Sequence, residues 1–92
     1  MSDGRIPVLP RGVRLHHDRV RGRQVLLGPE RVLMLDETGQ AILSELDGRL
    51  SISRIAARLA KAYDAPEDAV AADVVDFVEG LARQRLVDFV DG

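Results

Sequence analysis

The sequence predicts an α+β fold, a three-stranded antiparallel sheet followed by three helices. Two observations lead there. Apolar and polar residues fall in short runs between residues 13 and 35, partly alternating, and after Asp36 the apolar residues recur at helical spacing. Turn and cap residues punctuate both halves at the intervals such elements need. With 92 residues the chain has room for one small domain, expected over residues 13–92 behind an extended arm at 1–12.

Pro7 and Pro10 bracket that arm, which is expected to lack regular structure. Val13-Arg14-Leu15-His16-His17 alternates with period 2, the pattern of a half-buried strand. Asp18 to Gly22 supplies a turn, Gln24-Val25-Leu26-Leu27 a second strand, and Gly28-Pro29-Glu30 a second turn. Arg31-Val32-Leu33-Met34-Leu35 is the third strand. Four of its consecutive positions are apolar, so both of its faces want cover, and a small sheet backed by helices covers only one.

Asp36 is an N-cap for a short helix carrying Gly39, Ile42, Leu43 and Leu46 on one side, which stops at Asp47-Gly48. Ser51 caps the second helix, where Ile52, Ile55, Ala56, Leu59 and Tyr63 form an amphipathic stripe. Ala65-Pro66-Glu67 breaks that helix and starts the third, with Pro66 at its first position. The third helix is expected to run to about Gln84, with Leu86–Val90 as a short strand or tail. At roughly 100° per residue, Val70, Val74, Phe77 and Leu81 make one apolar row and Ala71, Val75, Val78 and Ala82 an adjoining one. Together they span about 160°, more than the roughly 100° that a core-facing helix needs. One row can face the core while the other lines a groove; the plainer alternative buries both.

Composition narrows the chemistry. The apolar mass is aliphatic, with 12 Leu, 11 Val, 10 Ala and 4 Ile against one Tyr, two Phe and no Trp. Without cysteine there is no disulfide, thiolate zinc site, iron–sulfur cluster or Cys nucleophile. No apolar run reaches the ~18–20 residues of a membrane span, and the N-terminus lacks an apolar signal segment, so a soluble cytoplasmic protein without membrane partners is expected. Residues 1–31 hold seven arginines against three acids, whereas residues 32–92 hold six bases against twelve acids. Six acids and no base fall between Asp64 and Glu79, a field that repels a phosphate backbone even if it is only a solvated helix face.

His16 and His17 invite a metal reading, but neighbours on a strand point to opposite faces and no further His or Cys exists to complete a ligand set. The carboxylates Asp73, Asp76 and Glu79 lie on the polar side of the third helix, and the sequence has no phosphate loop or nucleophile motif. No catalytic residue, metal or cofactor is therefore expected. Strands with three helices also suggest a DNA-binding winged helix-turn-helix, for which Arg54, Arg58 and Lys61 offer a weak basic stripe while the third helix presents acids.

The remaining reading is a module that binds an extended peptide by strand addition. The groove would be formed by Arg31, Val32, Leu33, Met34 and Leu35 of the third strand, walled by Ala71, Val75, Val78, Ala82 and Arg85 of the third helix. A Met34 pointing outward would enlarge this groove; pointing inward it would fill core, the commoner role of a lone methionine. Ladder hydrogen bonds at roughly 0.5–1.5 kcal/mol each and a few buried aliphatic side chains, set against the ordering cost of a peptide, give about micromolar affinity or somewhat tighter. Self-association through the same edge is a further reading, which would make a homodimer.

Leu26-Leu27-Gly28-Pro29-Glu30-Arg31, Leu35-Asp36, Ile42-Leu43 and Asp47-Gly48 resemble the PqqD family of pyrroloquinoline quinone (PQQ) biosynthesis. The likeness continues in order through Ile55, Leu59-Ala60, Tyr63-Asp64-Ala65-Pro66, Asp73-Val74, Phe77-Val78 and Leu81, so that it covers about Pro7 to Val87. The resemblance implies a small winged-helix-like domain, known as a recognition element for ribosomally made precursor peptides, with no enzymatic activity. It implies a peptide chaperone that binds the precursor PqqA and presents it to the radical S-adenosylmethionine enzyme PqqE. It also implies that the peptide adds beside the third strand and packs on the third helix, here Arg31–Leu35 and roughly Val70–Arg85.

Overall fold

The computed structural model describes residues 3–91. Its elements are β1 (Arg5–Val8), β2 (Arg14–Asp18), β3 (Arg23–Leu27), β4 (Val32–Met34), α1 (Glu37–Ser44), α2 (Ile52–Tyr63), α3 (Glu67–Arg83) and β5 (Asp88–Asp91). The expected meander is present as an antiparallel sheet in the order β2-β3-β4. Leu15, Leu26 and Leu33 pair across it and belong to the hydrophobic core and its margin, with Leu26 fully buried. The three helices follow as expected.

The arm differs from the expectation of irregular structure. Residues 5–8 form β1, which pairs antiparallel with β5 in a separate two-stranded sheet, Arg5 opposite Asp91 and Pro7 opposite Phe89. Proline is tolerated there because a two-stranded ribbon leaves each strand one edge without ladder bonds. The arm is also tied to the helices. The Asp3 carbonyl accepts from the Ser53 N–H at 3.0 Å, satisfying one of the donors that the first turn of α2 leaves open. Arg5 bridges Asp3 at 2.8 Å and Glu79 of α3 at 3.0 Å, and its guanidinium lies 4.6 Å from the Phe89 ring centroid.

Caps set the helix boundaries. Asp36 accepts from the Gly39 N–H at 2.7 Å, and Ser51 from the Arg54 N–H at 3.3 Å. Pro66 is the N-cap of α3 rather than its first residue, and it offers no side-chain acceptor. At the other end of α3, Leu86 N–H bonds Leu81 O and Arg85 N–H bonds Ala82 O, a Schellman closure. Arg85 takes the left-handed conformation there, φ 62°, where glycine is usual. The closure turns the chain so that Leu86 and Val87 enter the core before β5 begins.

Two expected stripes are redistributed. Tyr63, placed at the end of the α2 stripe, is 63% exposed because α2 ends there and Asp64 turns left-handed, φ 51°. On α3 the core takes Val74 and Leu81 from one predicted row and Val78 from the other. The buried stripe thus runs between the rows and leaves a half-buried flank on each side.

Candidate functional site

The Gly28 N–H donates to the Arg31 carbonyl at 2.9 Å and closes the turn between β3 and β4. Antiparallel pairs alternate between bonded and non-bonded positions, so this closing pair fixes the orientation of every residue after it. Leu26 and Leu33 form the next bonded pair, whereas Leu27–Val32 and Val25–Met34 are non-bonded. The backbone N–H and C=O groups of Val32 and Met34 therefore point away from β3. Among the described residues no strand pairs with that edge: β4 is terminal in its sheet, and the C-terminal strand that could have filled it pairs with β1 instead.

The side chains agree with this arrangement. Leu33 turns inward, packing against the core, and Leu35 is buried. Val32 is 58% exposed and Met34 42%. Met34 therefore points outward, contrary to the commoner role of a lone methionine, and its Sδ receives Arg21 Nη1 at 3.5 Å. Arg31 is exposed and donates from Nη1 to Gln84 Oε1 at 2.6 Å, which links the start of β4 to the end of α3.

That link identifies which flank of α3 faces β4. Gln84, Gly80, Phe77 and Asp73 succeed one another along one side of the helix. Phe77 lies against Gly39 of α1, where an added Cβ would come within 3.1 Å of its ring. Gly80, between Phe77 and Gln84, has open space: a Cβ there would meet only Arg83 Nη2, at 3.9 Å. The flank beside β4 is thus Phe77, Gly80 and Gln84, which the sequence reading assigned to the core or did not single out.

The residues chosen from sequence divide accordingly. Arg31 to Leu35 are together on one strand and its continuation. Ala71 and Val75 lie on the opposite flank, lining a hollow with Asp3, Ile52, Ser53 and Ala56. Val78 is fully buried and has no surface to offer a ligand. Ala82 is half-buried and Arg85 exposed at the end of α3. A helix wheel gives the width of an apolar face but not its rotation, and only the Arg31–Gln84 and Phe77–Gly39 contacts settle that. Gly80, a small residue just outside the apolar rows and between Phe77 and Gln84, was the available signal.

Charge is arranged along the same line. Arg31, Arg83 and Arg85 cluster where β4 begins and α3 ends, whereas Asp36, Glu37 and Asp73 lie toward the opposite end, where β4 runs into α1. The basic stripe of α2 is weakened further because Arg58 donates from Nε to Glu45 at 2.7 Å, which holds the guanidinium pKa above its usual value. With acids on the exposed side of α3, the distribution does not favour a phosphate backbone. Among the described residues no helix is long and apolar enough to cross a membrane.

Fold and edge together define a class, a small α+β scaffold with a free strand edge beside a helix. The chain belongs to the PqqD family: the family's sequence profile, described as coenzyme PQQ synthesis protein D (PqqD), matches residues 23–87. A PqqA binding protein of Rhizobium meliloti is 44% identical over 90 residues, which cover 98% of this chain and 92% of the relative. A bifunctional coenzyme PQQ synthesis protein C/D of Methylorubrum extorquens is 44% identical over 87 residues, 95% of this chain but 23% of that longer protein.

Two solved structures agree with the fold. The solution structure of the PqqD truncation of Methylobacterium extorquens PqqCD is described as a functional, stand-alone recognition element for ribosomally synthesized and post-translationally modified peptides. It superposes with TM-score 0.82 at 43% identity, covering 96% of this chain and 94% of the other. The crystal structure of PqqD from Xanthomonas campestris gives TM-score 0.60 at 40% identity, covering 94% and 96%. The Rhizobium meliloti relative is named for binding and the Methylobacterium extorquens structure for recognition, in agreement with the non-enzymatic role expected from the sequence.

Proposed function

We propose that this protein captures the precursor peptide PqqA as an additional strand on the free edge of β4 and presents it to the radical S-adenosylmethionine enzyme PqqE. The observation that carries the proposal is the outward pair of backbone donors and acceptors at Val32 and Met34, on an edge that no strand of the described chain occupies. Strand addition uses such groups for affinity and the flanking side chains for selectivity. Arg31, Val32, Leu33, Met34 and Leu35 form the proposed strand side of the groove, and Phe77, Gly80 and Gln84 the helix side, with Arg85 at its basic end; Ala82 falls with Ala71 and Val75 on the other flank. The names of the relatives, PqqA binding protein among them, support the choice of peptide.

The test is a titration of ¹⁵N-labelled protein with PqqA. The amides of Val32, Met34, Phe77 and Gly80 are expected to move most. Shifts confined to β2 or to β1 and β5 contradict the groove, and no shifts at all contradict the function. Adding PqqE to the saturated complex tests presentation: a ternary complex is expected, and displacement of PqqA from this protein without one contradicts it.

A further inference from the structure

A hollow of about 280 Å³ lies where α1, α2 and α3 meet, floored by Ala41, Leu59 and Val70 and bordered by Glu37, Tyr63 and Asp73. Along the chain it follows directly on the Leu35 end of the proposed groove. Asp73 and Val70 stand one and two turns along α3 from Phe77, and Glu37 begins α1 only two residues after Leu35. At about 3.3 Å per extended residue, a peptide paired along β4 reaches the hollow within roughly three residues of leaving Met34.

Its lining brings three kinds of group together. The walls are aliphatic, the aromatic residue at the rim is largely exposed, and the two carboxylates have no ion-pair or hydrogen-bond partner among the described residues. An apolar trough with two unpaired carboxylates and an aromatic ring at its mouth matches a long cationic side chain. Its methylene stem packs on the trough, and its charged head meets carboxylates and ring.

We infer that this hollow holds a lysine or arginine of the bound peptide, next to the strand-paired segment at the Leu35 end. The inference rests on the proposed strand addition and deepens it by assigning a selective subsite that the backbone ladder cannot provide.

The experiment compares PqqA binding to the wild type, to Glu37→Gln/Asp73→Asn and to Tyr63→Leu. It uses native PqqA and peptides in which each lysine or arginine in turn is replaced by norleucine, which keeps a stem without the charge. Neutralising both carboxylates is expected to weaken PqqA about fivefold to tenfold, and Tyr63→Leu about threefold to fivefold, with the differences shrinking at high salt. One norleucine peptide is expected to lose the same factor on the wild type and to lose nothing further on the double variant. Throughout, Val32 and Met34 amides still shift. Binding within twofold of wild type by the double variant, with those shifts intact, overturns the subsite alone. So does a loss that no single norleucine peptide reproduces. Absence of the edge shifts in the wild type overturns the strand-addition reading and the subsite with it. Unfolding midpoints equal to wild type confirm that the exposed substitutions leave the fold unchanged.

Discussion

At Val32 the backbone and the side chain both face away from the core, so a substitution there separates binding from folding. Val32→Pro removes an N–H that β3 does not use, and the β3–β4 ladder is expected to survive. Leu33→Pro removes one that β3 does use. The expected outcome is a folded Val32→Pro protein, by circular dichroism, that loses PqqA affinity by at least tenfold, while Leu33→Pro loses stability outright and Arg54→Ala affects neither. Equal effects of Val32→Pro and Arg54→Ala on PqqA would argue against an edge site. Asp36 was legible as a cap from its place before an apolar-periodic run, and its bond to Gly39 N–H confirms it. Asp36→Ala is expected to cost about 0.5–2 kcal/mol in denaturant unfolding. The outward turn of Met34 was not legible, because four consecutive apolar residues carry no period from which to choose a face.

Among the elements, the meander and the helices were legible because their signals are local: alternation, turns and caps within a few residues of one another. The pairing of β1 with β5 was not, since its partners lie some eighty residues apart and each is a short run beside proline or acid. Nor was the rotation of α3, which depends on what packs against it. Its buried stripe of Val74, Val78 and Leu81 predicts that Leu81→Ala costs about 2–5 kcal/mol. Gly80, on the flank toward β4, predicts the opposite combination. Gly80→Leu is expected to raise helix stability by up to about 1 kcal/mol while filling the cleft and weakening PqqA. A stabilised variant with unchanged PqqA affinity would place the peptide elsewhere.

The arm carries a pH signature. Hydrogen bonding from Arg5 holds the Asp3 carboxyl below its usual pKa, and N–H groups of Leu50 and Arg49 do the same for Asp47. Groups lowered in this way favour the folded state above the ordinary carboxylate range, and the stabilisation fades as pH falls through the lowered values. Melting curves between about pH 5 and pH 1 are expected to fall less steeply for Asp3→Asn than for the wild type. Identical slopes would show that the Asp3–Arg5–Glu79 bridge contributes nothing to the acid limb.

Over the whole molecule, charge and shape act together. Arg31, Arg83 and Arg85 at one end and Asp36, Glu37 and Asp73 toward the other give the proposed groove a basic and an acidic end, yet its floor is backbone and aliphatic surface. PqqA affinity is therefore expected to fall by no more than about tenfold between 50 and 200 mM salt, where a protein neutralising 6–10 phosphates loses about 10³–10⁵. A slope of the second kind would restore the nucleic-acid reading.

The most direct measurement is amide hydrogen exchange with and without PqqA. The account predicts that Val32 and Met34 exchange quickly in the free protein, while Leu33, bonded to β3, is protected, and that PqqA slows the first two. Val32 and Met34 already protected without peptide, or unchanged by saturating PqqA, would contradict it.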